Sequence, residues 1–193
     1  QTYSFRVKYN HNTFIQNILS TCLLIFILDL DIANKKNIFL NFKIPEGRGD
    51  FSRVYAFRKF FYLLDESYNA NPNSVRLAID RFKNIKKKKN KKILLLGDML
   101  ELGKGSKPFH RNIAKYINNS NIDKIFVIGK YVPETYKFVK KEKKGAIIKK
   151  INDVGSIIMN HIKSNDLVMI KGSNATGLND FSKKLKRGTM DAL

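Results

Sequence analysis

Hydrophobic positions in the second half of this chain alternate between two rhythms, one of helices and one of buried strands. Val75, Ala78, Ile79, Phe82 and Ile85 recur at helical spacing after Asn73 and Ser74, which suit a helix cap. Ile93 to Leu96 is a short continuous apolar run ending in Gly97, the mark of a strand buried on both faces. The unit then repeats, with a helix around Phe109, Ile113 and Ile117 and a strand at Ile125 to Ile128 that ends in Gly129. A further helix carries Val154, Ile157, Ile158 and Ile162, the strand Leu167 to Ile170 ends in Lys171-Gly172-Ser173, and a last helix covers about Leu178 to Leu185. Strands that alternate with helices through short connections imply a parallel sheet, because parallel neighbours need crossover helices.

The expected fold class is therefore α/β, with a Rossmann-like parallel-sheet domain over residues 63–193. Residues 1–62 do not follow that rhythm and read as the helical and β end of a preceding domain. Positions 11 to about 42 are helix-like, with apolar residues on nearly all faces of the first half. Pro45, Gly47 and Gly49 break the pattern around Arg48, and positions 53 to 64 read as paired strands. The run Ile18 to Leu28 holds Ser20 and Thr21 and is bounded by Asp29 and Asp31. It is shorter than the roughly 20 residues a bilayer requires, so the expectation is a buried helix and no membrane span. It also lacks the basic flank and small-residue cleavage site of a signal peptide. Gln1 stands in the middle of what reads as structure, so the chain is expected to be a fragment.

Composition adds constraints. A chain of 193 residues with 43% hydrophobic residues can form a packed core, which excludes a disordered tail. A formal charge of +21 invites a nucleic-acid reading. The lysines, however, are spread along most of the chain, and the densest run, Lys86 to Lys89 with Lys91 and Lys92, lies between a helix and a strand and reads as a solvated turn. No aromatic RNA-binding motif, zinc-ligand spacing or tandem repeat accompanies it, so no nucleic-acid partner is expected, although a basic binding domain stands as an alternative. Cys22 is the single cysteine, which suits a reducing, cytoplasmic compartment, and its apolar setting suits a core filler.

The candidate chemistry lies at three strand ends: Asp65 to Asn71, Gly97-Asp98-Met99-Leu100-Glu101-Leu102-Gly103, and Lys171-Gly172-Ser173-Asn174. In a parallel sheet all carboxyl strand ends face one edge, so the three loops can converge on one ligand. Lys171 and Ser173, just before a helix, suit a carboxylate or phosphate. The plainer alternatives are that Asn69 and Asn71 supply turn geometry before Pro72, that Asp98 and Glu101 are solvated acids, and that His110 is a surface or capping residue. No metal-ligand cluster and no nucleophile–base pair is legible.

The run Asp65 to Pro72, then Leu96-Gly97-Asp98-Met99-Leu100-Glu101-Leu102-Gly103, His110, and Ile170-Lys171-Gly172-Ser173 resembles the carboxy-terminal domain of the Mur ligase family. The likeness covers roughly residues 10 to 190, and Tyr68-Asn69-Ala70-Asn71-Pro72 is similar to the branch that adds D-alanyl-D-alanine. His11-Asn12 with Asn17-Ile18-Leu19 looks like the end of the family's central ATPase domain, and Gly47-Arg48 resembles its Gly-Arg pair. Another Mur-type or folylpolyglutamate-type amide ligase, sharing this architecture, is the nearest alternative. The resemblance implies ligation of D-alanyl-D-alanine to UDP-N-acetylmuramoyl-tripeptide through an acyl phosphate, by an enzyme expected to be monomeric at full length. It implies that Asn17 contacts adenine, Arg48 the ATP phosphates in a catalytic role, and Asp65 or Glu66 the ribose. Tyr68, Asn69, Asn71, Lys171 and Ser173 would line the nucleotide and acceptor side. The chain departs from the family's pattern at Tyr9-Asn10, at Glu66 and at Asn174, where an arginine is usual. No Gly-Lys-Thr or Gly-Lys-Ser phosphate loop occurs, so ATP's magnesium is expected to be held outside this chain and the chain alone should not catalyse.

Overall fold

The structure is a computed structural model that describes residues 4–8, 12–31, 36–86 and 90–188. Tyr9, Asn10, His11 and Lys87 to Lys89 lie outside the described residues. The chain divides into two compact units, Gln1–Ile44 and Pro45–Leu193. The boundary expected after residue 62 falls inside a strand, because the segment from Asp50 onward joins the sheet of the second unit.

In the first unit, α1 spans Asn12–Ile27. Phe14 and Ile18 on one side of it pack with Phe39, Phe5, Val7 and Cys22 into a small cluster, so Cys22 fills a core as expected. The expectation of a buried helix does not hold for the rest of α1. Leu19, Leu23, Leu24, Phe26 and Ile27 are exposed, with Phe26 at 78%. A unit of this size can cover only one side of a helix that is apolar all round. No helix among the described residues is long and apolar enough to cross a membrane.

The second unit contains strands β1 (Asp50–Ala56), β2 (Lys59–Glu66), β3 (Lys92–Gly97), β4 (Lys124–Ile128), β5 (Lys144–Ile148) and β6 (Leu167–Lys171). Its helices are α2 (Pro72–Asn84), α3 (Ser106–Asn118), α4 (Pro133–Phe138), α5 (Val154–Met159) and α6 (Leu178–Arg187). They form one six-stranded sheet in the order β1-β2-β6-β3-β4-β5, parallel throughout except for the antiparallel β1–β2 hairpin. This is the expected Rossmann-like α/β arrangement. Alternate residues of the central strands feed two cores. Leu64, Leu94, Leu96 and Met169 pack with α2, α3 and α4 on one face. Leu63, Ile93, Leu95, Val168 and Ile170 pack with α5 and α6 on the other. Strand β6 returns to lie between β2 and β3, so the direction of winding reverses there and the carboxyl ends of these three strands border one crevice.

Local chemistry explains where the elements begin. The cap of α2 is Asn71 rather than Asn73 or Ser74: its carboxamide oxygen accepts from Ser74 N at 2.8 Å, and Ser74 Oγ accepts from Asn71 N in return. Lys92, expected to be solvated, is fully buried. Its ammonium donates to the carbonyls of Phe82 and Lys83 at 2.6 and 2.7 Å and to Asn121 Oδ1 at 3.2 Å, so it closes the carboxyl end of α2. Lys92→Met keeps most of the stem volume but leaves those acceptors bare. The expected loss is about 2–3 kcal/mol, read as a lower urea midpoint at unchanged slope.

Candidate functional site

Three loops at the carboxyl ends of β2, β3 and β6 meet through shared hydrogen bonds. Ser173 Oγ accepts from Leu100 N at 3.0 Å and donates to Ala70 O at 3.4 Å, so one hydroxyl touches both other loops. Ser173 N donates to Asp98 O at 3.0 Å. Lys171, only 2% exposed, turns its ammonium inward to the carbonyls of Glu66 and Asn69. The convergence expected from the sequence is therefore present, but Lys171 and Ser173 hold the loops together with the same atoms that were expected to face a ligand.

Asp65 and Glu66 occupy different environments because neighbouring strand residues point to opposite faces. Asp65 is fully buried; its Oδ1 accepts from Ser67 N and Ser67 Oγ at 3.1 and 2.5 Å, and its Oδ2 pairs with Lys186 Nζ at 2.5 Å. Both its oxygens are committed, which leaves Glu66 as the member of the pair placed at the open edge. Glu66 pairs with Arg81 at 3.4 Å and Lys171 at 3.8 Å. Burial raises its carboxyl above the usual carboxylate value, against the pull of Lys171 and Arg81. Burial also lowers the Lys171 ammonium, Glu66 opposes that shift, and Arg48 reinforces it by repulsion.

Arg48 is exposed between two glycines with positive φ, Gly47 at 73° and Gly49 at 97°. A side chain at Gly47 would meet Tyr68 N at 3.0 Å and Asn179 Nδ2 at 2.7 Å, and one at Gly49 would meet the Arg81 guanidinium at 2.3 Å. The glycines thus let the loop lie flat against the end of β2. Tyr68 N donates to Gly47 O at 3.0 Å, and the Arg48 guanidinium lies over the Tyr68 ring, 4.2 Å from its centroid. Tyr68, Asn69 and Asn71 are exposed beside it. Asn69 Oδ1 accepts from Ala70 N and Asn71 Oδ1 is spent on the α2 cap, so the turn reading is correct for these two oxygens. A cavity of about 440 Å3 opens alongside, walled by Pro45, Glu46, Tyr68, Asn174, Asn179 and Lys183. Asn17 stands on α1 of the first unit and is exposed.

Two residues read as surface groups turn out to be interior. Asp98 is 4% exposed and its carboxylate accepts from three successive backbone amides, Lys130, Tyr131 and Val132, at 2.7 to 2.9 Å. Gly129, at φ 142°, has no room for a side chain, since a Cβ would fall 2.4 Å from that carboxylate. His110 is fully buried. Its Nδ1 lies 2.7 Å from Ser106 O, which can only accept, so Nδ1 carries the proton. Its Nε2 is therefore the acceptor for Met99 N at 3.0 Å, and the ring is a strut for the Asp98 loop with no lone pair left to act as a base. Asp98 follows the apolar run of β3 and His110 shares the buried stripe of α3 with Ile113, Ala114 and Ile117, and these were the available signs of burial.

The sequence model of the Mur ligase, glutamate ligase domain, matches residues 56–174. A UDP-N-acetylmuramoyl-tripeptide–D-alanyl-D-alanine ligase of Rickettsia prowazekii is 26% identical over 165 residues, which is 86% of this chain and 35% of that protein. The enzyme of the same name from Bacillus subtilis is 30% identical over 127 residues, 64% of this chain and 27% of that protein. The chain thus spans about a third of the length of the curated relatives it matches. Among solved structures, the Thermotoga maritima MurF ligase in complex with ADP aligns at a TM-score of 0.72 with 20% identity, covering 93% of this chain and 39% of that one. Acinetobacter baumannii MurF aligns at 0.74 and 20%, covering 95% and 40%. These likenesses show a shared fold, and the domain match extends from the end of β1 through the loop after β6 that closes the site. By that match, the chain belongs to the Mur ligase family, in its glutamate ligase domain.

Proposed function

We propose that this chain supplies the nucleotide-phosphate and acceptor side of an ATP-dependent amide-bond ligase that joins D-alanyl-D-alanine to UDP-N-acetylmuramoyl-tripeptide in the cytoplasm. The observation that carries this reading is the exposed Arg48 guanidinium, stacked on Tyr68 of the loop after β2, one of the three strand-end loops that share hydrogen bonds. In such a ligase ATP phosphorylates the tripeptide carboxylate, and the acceptor amine then displaces phosphate. That chemistry needs stabilisation of developing charge and exclusion of water more than it needs a covalent side chain. Arg48 offers the phosphates a planar donor fork. Glu66 is the acid open to the ribose hydroxyls. Tyr68 and Asn69 present the exposed polar wall beside the cavity near Asn174, where the acceptor dipeptide enters. Lys171 and Ser173 keep that wall in place. Among the described residues no three His, Cys, Asp or Glu side chains are placed to hold a metal ion.

The test is to mix the chain with a separately supplied amino-terminal and central portion of a relative and to follow phosphate release. Release that requires ATP, UDP-muramoyl-tripeptide and D-alanyl-D-alanine together is the expected outcome. Release that proceeds without the dipeptide, or ATP binding to the chain alone tighter than about 1 μM, would overturn the reading, since only part of the phosphate shell is present here.

A further inference from the structure

One ammonium group ties the Arg48 loop to the far end of the sheet. Asp50 and Asp65 face each other as register partners across β1 and β2. Two carboxylates directly opposite repel across a strand pair, and Asp65 is fully buried. Lys186, on the last turn of α6, reaches between them: its Nζ is 2.7 Å from Asp50 Oδ2 and 2.5 Å from Asp65 Oδ2. The second oxygen of each acid then faces the site. Asp50 Oδ1 accepts from Gly47 N at 3.0 Å. Asp65 Oδ1 holds Ser67, whose hydroxyl also accepts from Asn179 Nδ2 of α6 at 3.2 Å, and Asp65 O accepts from Gly49 N at 2.7 Å. Both flanking glycines and the residue before Tyr68 are thus anchored to a pair of acids that a single cation keeps together.

We propose that Lys186 is a positioning residue for Arg48: by bridging Asp50 and Asp65 it fixes the Gly47–Gly49 loop, and so the guanidinium, at the angle a phosphate requires. Lys186 itself touches no ligand. Burial draws its ammonium pKa down, but the hydrogen bonds it donates to Asp50 and Asp65, with their negative charges, outweigh burial and raise it above the ordinary lysine value. The clasp is therefore closed at neutral pH. The functional part of this inference rests on Arg48 as the phosphate contact proposed above, whereas its structural part does not.

Amide exchange on the whole chain, with and without ADP, separates the two. In Lys186→Met the amides of Gly47, Gly49 and Tyr68 should exchange at least about tenfold faster while those of β3 and β4 keep their protection. ADP affinity should fall about tenfold in the same variant. Lys186→Arg should restore both, because a guanidinium can fork two carboxylates. Where Lys186→Met loses protection in β3 and β4 as well, Asp50→Ala is the second variant; it removes the Gly47 leg together with one of the two carboxylates Lys186 bridges, and faster exchange at Gly47 with an intact core is then expected. Unchanged exchange at the three amides in the variant with an intact core would overturn the clasp. Loosened amides with unchanged ADP affinity would overturn the link from the clasp to Arg48. Absence of ADP binding by the unsubstituted chain would count against the ligase reading instead, and the exchange result would still decide the clasp.

Discussion

Arg48→Ala is expected to lower phosphate release in the reconstituted reaction by about 10^3-fold while leaving the melting temperature of the chain within a degree or two. The stability half of that expectation follows from exposure. Arg48 is on the surface, and what it loses is a stacking contact with Tyr68 at 4.2 Å, which at an exposed site contributes about 0.5–1 kcal/mol. The activity half follows from where the charge sits. Phosphoryl transfer spreads negative charge over oxygens that must be met by fixed donors, and a guanidinium already held on a ring needs little reorganisation when that charge develops. Arg48→Lys discriminates this from a mere need for positive charge. A flexible ammonium cannot offer two parallel donors or lie flat on Tyr68, so it should recover only part of the loss and leave release at least tenfold down. Initial rates at saturating ATP, taken alongside the ATP concentration for half-maximal rate, separate weaker binding from weaker stabilisation. An Arg48→Ala variant as fast as the parent would remove Arg48 from the reaction.

The central strands were legible because they are short, continuous apolar runs, closed by a glycine in β3 and β4 and by Lys171-Gly172 in β6, a pattern that burial on both faces imposes. Ile93 to Leu96 and Leu167 to Ile170 fall within β3 and β6 for that reason. Strand β5 and helix α4 were not legible. Lys144–Ile148 is an edge strand with a register shift, and it opens on Lys144 and Gly145 and carries a half-exposed Ile147, so its side chains do not report an interior. Helix α4 has only six residues, too few to show a period. The three polar loops announced themselves by composition, and parallel topology was enough to bring them to one edge. What composition could not say was which polar groups turn inward. Asp65 and Glu66 are adjacent and both acidic, yet only the pleat decides that one is fully buried and the other half-buried. The same holds for Lys92 and Lys186, whose partners lie on elements that are distant in sequence. Helix α1 erred in the opposite direction: its apolar surface reads as interior, and within its own unit only one side of it is covered.

Asp98→Ala should be the most destabilising of the substitutions considered, costing about 4 kcal/mol and lowering the melting temperature by roughly 10 °C. The carboxylate accepts three charge-assisted bonds, from the amides of Lys130, Tyr131 and Val132, in a place from which water is excluded. Alanine would leave three N–H groups, that of Val132 buried and those of Lys130 and Tyr131 partly so, without their acceptor. Gly129 makes the loss worse, because the close approach that it permits, 2.4 Å from a Cβ position to the carboxylate, becomes a void once the carboxylate is gone. Asp98→Asn tests the origin of the effect. It keeps the shape and one acceptor oxygen but turns a donor toward an amide, so about half the loss should remain even though the volume is unchanged. His110→Phe should cost less, since it forfeits the two neutral bonds to Met99 N and Ser106 O while still filling the space between α3 and the loop. The order Asp98→Ala, Asp98→Asn, His110→Phe in calorimetry would identify the anionic clasp as what holds the loop after β4 to the loop after β3. A reversed order would mean that packing around His110 does so. The distinction reaches the site, because the Asp98 backbone carbonyl is the acceptor for Ser173 N. A loop that drifts here also moves the serine that joins all three strand ends, so activity should fall with stability in Asp98→Ala but not in Arg48→Ala.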